Sequence, residues 1–418
     1  GTRGVPDEYV TALLRELSKS SRRPDTLYFG GGTPALLRPD QVHRLIKAAA
    51  PLPGAEITLE ANPDVVTPEN LAGFAAAGVT RISFGVQSAD DAQLRRLGRT
   101  HTAAAAAQAF AWAREAGFRE ICGDIMLALP YYSTAEFDKT LALLQAGGCT
   151  HISAYLLKIE PGTAFGRNPP PGLPDADAAA EFYLYAVQRL AQEGYRQYEI
   201  SNFACPGHEG RHNLLYWNCK DYWGIGPAAH SCLGSVRRFW PNDTAAFIAG
   251  TVQEQYEGPC NAEDYLIMQL RLCSGLNLTE YAARYGVRFD AGQMAFLRHC
   301  AASGYAVLDG DTLRLTPSGM IVQNAILEEL GKPGSLTFTD ESGNVLLTGD
   351  QVATAKAGII DQKNGQKSYV VSLTFTDEGT KTFADATTAN VGKRIAIIYD
   401  GQVYSAPVVR EAITGGQC

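Results

Sequence analysis

Between Asp25 and about Gly162 one pattern recurs, and it limits the fold more than anything else in the chain: a short β-rich run, a loop, then an Ala/Leu-rich helical stretch. The runs are TLYFGGG, EITLEANP, RISFGVQS, EICGDIMLALP and HISAYLLKIEPG. Strands that alternate with helices at this spacing pair in parallel, each helix crossing back over the sheet. The intervening helices, ENLAGFAAAG after Pro68 and the stretch from Ala103 to Ala116, run into Gly78 and Gly117, as helix C-termini often do. Five such steps without an eighth strand predict an α/β fold with a partial (β/α) barrel, open on one side. Ligands of such folds sit at the C-terminal ends of the strands, where the glycines of TLYFGGG, Glu60, Gln87 and Asp124 all fall.

Beyond the repeat the organisation changes. A Pro/Gly-rich stretch, RNPPPGLPDADA (167–178), denies helix and strand alike and separates the barrel from a long amphipathic helix near Ala179 to Glu193. The aromatic segment 198–231, which contains RHNLLYW and GIGPAAHS, is too irregular to be one element, and loops of this kind commonly carry function. Residues 262–330 read as helices, a small hairpin (YAVLDGDTLRLT) and a last helix, a winged-helix-like arrangement whose acidic excess argues against DNA. At Gly331 a new β-rich region begins, with a helix expected from about Thr376 to Thr388 and a hairpin turning at Asp400 and Gly401. The expected domains are therefore 1–170 (partial barrel), 171–260 (barrel extension), 261–330 (winged-helix-like) and 331–418 (a small α+β domain).

The net charge of −8 excludes a general nucleic-acid binder, because neutralising phosphates needs a surplus of Lys and Arg on at least one face. No run of eighteen apolar residues appears, so no membrane span is expected. The nine cysteines include no C-x-x-C pair and no regular spacing, which favours free thiols in a reducing, cytoplasmic compartment over a disulfide scaffold or zinc ribbon. A chain that opens with Gly1 rather than Met and lacks a signal-like stretch is expected to be a piece of a longer one.

Glycines at a strand end let a ligand approach bare backbone, but GGG lacks the Lys and Ser/Thr of a phosphate loop and the spacing of a dinucleotide fingerprint. By itself it fits a tight turn equally well. Glu60 in LEANPD, Gln87 in FGVQS, Arg99 in RLGRTH and Asp124 in GDIMLALP lie at or just past successive strand ends and could converge on one pocket. Together they offer a partner for an ammonium, a clamp for a carboxylate and two groups for ribose hydroxyls. Each alone is better read as an exposed charge or a cap.

The ordered series FGGGTP, LEANPD, RISFGVQS, RLGRTH, GDIMLALP, SAYLLKIEPGT, YEISNFA, RHNLLYW and GIGPAAHS resembles the radical SAM family of oxygen-independent coproporphyrinogen III oxidase-like proteins, over about residues 8–330. RHNLLYW points to the haem-chaperone (HemW-like) branch. The resemblance implies that Gly31 and Gly32 hold the methionine ammonium of S-adenosylmethionine, that Arg99 pairs with its carboxylate, and that Gln87 and Asp124 bind the ribose with Glu60 alongside. It implies haem contacts by His212, Asn213, Tyr216 and Trp217; a histidine ligand beside aromatic surface suits an iron porphyrin, although Tyr216 and Trp217 could equally be core aromatics. His230 is a weaker haem candidate. The implied partners are haem or a porphyrin and a haem-acceptor protein, and the implied alternative activity is a coproporphyrinogen III dehydrogenase of porphyrin biosynthesis.

Two departures accompany the match. The family holds a 4Fe-4S cluster on three cysteines in C-x-x-x-C-x-x-C, and no such triplet occurs here, so the chain is expected to lack the cluster and to be inactive as a radical enzyme. The sequence ALPYYST replaces a Gly-rich loop, and Tyr131 and Tyr132 are expected to narrow the adenine side. Residues 335–416, with GNVLLTGDQV, YVVSLTFTDEGTKTFADAT and NVGKRIAIIYDGQVYSAPVV, resemble instead the first extracytoplasmic domain of SecD, a subunit of the protein-export machinery. The two halves belong on opposite sides of a membrane, so a fused or misassembled reading frame is expected rather than a bifunctional protein. The remaining reading makes the tail a non-enzymatic export module.

Overall fold

A computed structural model describes residues 4–331, 336–361, 367–399 and 402–416. It divides into two compact units, Gly1–Val287 with Ala301–Gln323, and Arg288–Cys300 with Asn324–Cys418.

The first unit is built on a seven-stranded sheet. After helix α1 (Asp7–Leu17) come β1 (Thr26–Phe29), α2 (Pro39–Ala49), β2 (Glu56–Ala61), α3 (Pro68–Ala77), β3 (Arg81–Gln87), α4 (Asp91–Arg96), α5 (Ala103–Glu115), β4 (Glu120–Leu127), α6 (Thr134–Gly147) and β5 (His151–Leu156). A single turn, α7 (Ala164–Arg167), and α8 (Ala176–Gln192) lead to β6 (Arg196–Glu199) and β7 (Asn202–Ala204). The spatial order is β1-β2-β3-β4-β5-β7-β6, with β1 to β5 parallel and β7 and β6 antiparallel. This is the partial barrel that the βα repeat predicts, its five parallel strands at the predicted places. Residues local in sequence fix the crossovers: Thr67 and Ser133 cap α3 and α6 in reciprocal boxes, and Gly78 and Gly148 close them in the left-handed conformation.

The two faces of the sheet have opposite chemistry. On β3, Ile82, Phe84 and Val86 are buried against the helices, and Leu59 on β2, Ile121 on β4 and Ile152 on β5 join them in one core with Phe74, Phe110 and Phe137. Burying each such side chain stabilises the fold by about 1.5–3 kcal/mol. The alternate residues face the other way and are polar: Glu56, Thr58 and Glu60 on β2, Arg81 and Ser83 on β3, Asp124 on β4, His151 and Ser153 on β5. A parallel strand packed on both faces would read as a continuous apolar run, so this alternation marks the inner face as lining a cavity.

The segment 198–231 resolves into β7, α9 (Arg211–Trp217) and β8 (His230–Leu233); β8, β9 (Val236–Phe239) and β10 (Gln255–Pro259) form a small antiparallel sheet, with α10 (Thr244–Ala249) inserted between β9 and β10 and α11 (Ala262–Arg271) following β10. A helix at Leu278–Tyr285 and a three-stranded sheet containing the expected hairpin, Ala306–Asp309 with Thr312–Leu315, complete this helical, winged-helix-like region.

The second unit has its own α+β core, in which Phe338, Phe375 and Phe383 pack around the helix Asp377–Ala389. The strands Ala396–Tyr399 and Gln402–Ser405 pair antiparallel as expected; the turn at Asp400 and Gly401 lies outside the described residues. Among the described residues no helix is long and apolar enough to cross a membrane.

Candidate functional site

The strand ends converge. A cavity of about 220 Å³ is lined by Gly32, Thr33, Pro34, Glu60, Ala61, Asn62, Ser83, Gly85, Gln87, Arg99 and Asp124. Gly32, Glu60, Gln87, Arg99 and Asp124 are among the residues picked from the sequence, and Gly31 joins them by donating its backbone N–H to Glu60 Oε2 at 3.1 Å. The glycine triplet has two separate reasons to exist. A Cβ on Gly30 would lie 2.6 Å from the Tyr28 ring, whereas Gly31 and Gly32 take φ of +77° and +60° and face open space. The last two are therefore required by backbone conformation, and the space beside them is free for a ligand.

Asn62, Ser83 and Gly85 line the cavity without having been singled out. Their signal was the two-residue period: Asn62 follows Glu60, and Ser83 and Gly85 precede Gln87, on the same strand faces. A β-bulge between Gly85 and Gln87, with Gln87 itself at φ +67°, turns the Gln87 side chain back toward Gly85. A Cβ on Gly85 would meet Asn62 Oδ1 at 3.2 Å and Gln87 Nε2 at 3.3 Å, and would lie 3.8 Å from Arg99 Nη1. The cradle is thus mostly polar, and a side chain at Gly85 would crowd Asn62 and Gln87.

Its charges are spread. Arg99 donates to Asn62 Oδ1 at 3.4 Å, and no carboxylate is within ion-pair distance of it among the described residues. Burial raises the Asp124 carboxyl to about 6; hydrogen bonds from Ser153 and Ser83 oppose the shift, and the neighbouring Glu60 adds to it. Two acidic groups and one cation, which acts on Asp124 through space without a direct ion pair, suit a zwitterion that carries an extra positive charge.

Below the cradle the inner face is closed by a buried network. Arg81 lies 3.4 Å from both Glu56 and Glu120, donates to the His208 carbonyl at 3.0 Å and contacts the Cys122 sulfur at 3.3 Å. Burial holds His151 neutral, down to about 3, with Nε2 2.8 Å from the Tyr198 hydroxyl.

This network also places α9. Gly210, at the N-cap, has no side chain to offer, and the Glu56 carboxylate takes its place, accepting from the Arg211 and His212 N–H groups at 3.1 and 2.9 Å. His212 Nδ1 is 2.8 Å from Thr26 Oγ1, its Nε2 is 2.7 Å from the Tyr216 hydroxyl one turn on, and its ring stacks on Tyr28 at 5.1 Å. Burial keeps this imidazole below its ordinary pKa and hence neutral. The Tyr28 hydroxyl in turn donates to Glu60 Oε1 at 2.7 Å, so one side chain touches both α9 and the cradle.

The four α9 candidates do not share one surface. His212 and Tyr216 form a pair against β1, and Asn213 borders the inner cavity with Glu60, Arg81 and His151. Trp217 lies under the Arg271 guanidinium at 4.2 Å. His230, on β8, is exposed and stacks on Phe239. Tyr131 and Tyr132 stand away from the cradle, contrary to the sequence expectation. Tyr131 adopts φ +56° and lies over Gly172, Tyr132 packs on Phe182, and both border a separate cavity of about 450 Å³ beside α6 and α8. The Tyr132 ring follows the aromatic side chains of α8, and the Tyr131 ring lies beside the Arg96 guanidinium at 5.5 Å.

Comparisons with known proteins agree with this geometry. The model of the radical SAM superfamily matches residues 2–144, that of the HemN C-terminal domain 261–322, and that of the SecDF P1 head subdomain 327–418. The heme chaperone HemW of Escherichia coli K12 is 35% identical over 339 residues, covering 77% of this chain and 89% of that protein. HemW of Mycobacterium tuberculosis H37Rv is 34% identical over 346 residues, covering 78% and 86%. The solved structure of the E. coli coproporphyrinogen III oxidase HemN, a radical SAM enzyme, superposes with a TM-score of 0.67 at 22% identity, covering 78% of this chain and 82% of that one, which establishes the shared fold. With relatives of this identity and coverage behind the cradle and α9, the chain belongs to the HemW heme-chaperone family of radical SAM proteins.

Proposed function

We propose that this protein binds S-adenosylmethionine in the strand-end cradle and haem at α9, and passes the haem to a haem-free acceptor protein in the cytoplasm. The observation that carries the reading is the meeting of Gly32, Glu60, Gln87 and Asp124, from four strands or their following loops, with Arg99 from the loop after α4, in one polar cavity. Glu60 and the backbone of Gly31 and Gly32 take the ammonium, Arg99 takes the carboxylate, and Asp124 and Gln87 take the ribose hydroxyls. His212 supplies the iron ligand through Nε2, with the Tyr216 hydroxyl giving way, and burial keeps the ring in the neutral form that ligation needs. Asn213, on the inner-cavity side, and Trp217, under the Arg271 guanidinium, lie on other faces of α9, so the proposed haem contact rests on His212 and Tyr216.

S-adenosylmethionine bound to a reduced 4Fe-4S cluster supplies radical chemistry to this family. The residues of this chain do not fit that cluster: the 418 residues contain no C-x-x-x-C-x-x-C, and no group of three His, Cys, Asp or Glu among the described residues is arranged to hold a metal. The chain as given therefore binds without cleaving.

Titration with haem, followed through the Soret band, tests the reading: saturable one-to-one binding that His212→Ala weakens at least tenfold is expected, and binding indifferent to that change would reject α9 as the site. Anaerobic reconstitution with iron and sulfide tests the rest. A stoichiometric cluster with reductive cleavage of S-adenosylmethionine would overturn the binding-only role, and turnover of coproporphyrinogen would replace it with the dehydrogenase.

A further inference from the structure

Behind α9 two thiols meet. Cys232, in the middle of β8, and Cys260, the residue after β10, bring their sulfurs to 3.3 Å although 28 positions separate them. Their backbones are fixed from opposite sides. The Cys232 N–H and carbonyl pair with the Tyr222 carbonyl and N–H at 2.9 and 2.8 Å, and the Cys260 N–H donates to the Ser235 carbonyl at 2.8 Å. Cys232 is buried and Cys260 only partly so, immediately ahead of the Asn261 cap of α11. Arg237, the cross-strand neighbour of Cys232, lies close enough to Cys260 to interact with it electrostatically and is itself held by Asp264 at 2.8 Å.

We propose that Cys232 and Cys260 form a reversible dithiol–disulfide pair, with a peroxide as oxidant. Reaching the bonded distance needs the sulfurs to close by roughly 1.3 Å. Cys260, the accessible thiol, attacks one peroxide oxygen: an S–O bond forms, the O–O bond breaks, and the departing hydroxide takes the thiol proton as water. The Cys232 sulfur attacks the resulting sulfenic acid: the S–S bond forms, the S–O bond breaks, and the second hydroxyl leaves with the Cys232 proton as water. Two thiols and one peroxide become one disulfide and two waters, the two electrons passing from sulfur to oxygen. The buried thiol, which burial pushes up to about 12, is protected from reagents and positioned only for its partner.

The site is independent of the haem and S-adenosylmethionine readings, although it adjoins them: the Tyr222 ring packs edge-on against Tyr216 at 4.5 Å, and Gln269 of α11 donates to the Trp217 carbonyl at 2.8 Å.

The test is differential alkylation and peptide mapping of the full chain after hydrogen peroxide. Two of the nine cysteines should resist alkylation, and a peptide containing Cys232 should be found joined to one containing Cys260, two hydrogens lighter, with both thiols restored by dithiothreitol. Cys260→Ser should abolish the cross-link and Cys219→Ser should retain it. A bond from Cys260 to Cys219 instead, or two thiols that still alkylate when an added free cysteine has been consumed, would overturn the assignment.

Discussion

The cradle and α9 lie a few side chains apart and solve opposite problems. The cradle takes groups from separate strands and the loop after α4, leaves an arginine outside any direct ion pair and a carboxyl raised to about 6, and keeps its centre clear by placing Gly85 there. On α9 the main ligand candidate is already satisfied at both ring nitrogens, and the helix end is capped from another element. A site made of several strand ends is preformed because the sheet holds each piece. A site on one short helix is stable only when its polar groups bond to one another, and a ligand must compete with those bonds.

Four substitutions measure the contrast. Glu56→Ala should cost the most, about 3–5 kcal/mol in urea unfolding, because it leaves the buried Arg81 without one of its two carboxylates and uncaps α9; a loss under about 1 kcal/mol would mean that α9 is held by its ring contacts alone. Asp124→Asn should be next and should depend on pH. A carboxyl raised from 3.8 to about 6 keeps a proton in the folded state that the unfolded chain has released, so its burden on stability grows between about pH 4 and 6 and is complete above. The variant should match the parent near pH 3 and exceed it by on the order of 2–3 kcal/mol at pH 7. Arg99→Ala should weaken S-adenosylmethionine binding about 10- to 100-fold by calorimetry, the loss expected for one charge-assisted hydrogen bond, and leave haem binding unchanged. Tyr216→Phe should act the other way on haem, tightening it about fivefold by removing the competitor for His212 Nε2. If Tyr216→Phe weakens haem instead, the hydroxyl is a haem contact and the contrast drawn above fails.

How far the sequence could be read follows the same division. The five parallel strands were legible because alternation and helix-ending glycines are local signals, and Gly31, Gly32, Glu60 and Gln87 because they close strand runs; Asp124 sits within β4 and Arg99 in the loop after α4. Asn62, Ser83 and Gly85 were within reach of the same period but look ordinary one at a time. The cap on α9 was not legible, since Glu56 stands 155 positions from Arg211 and nothing near Gly210 announces it. Tyr131 and Tyr132 were misplaced because a loop sequence does not say to which side it folds; Tyr132 packs on Phe182 of α8, and Tyr131 lies over Gly172. The Cys232–Cys260 contact depends on strand register, which cysteine spacing does not encode.

Tyr28 carries one more consequence. Its ring rests on His212 and its hydroxyl on Glu60, the acid that also receives Gly31. A ligand that draws Glu60 toward itself changes the free energy of that tyrosine, and so of the imidazole beneath it. Reciprocity then applies: whatever factor an occupant of the cradle applies to affinity at α9, an occupant of α9 applies to affinity at the cradle, in the same direction and to the same extent.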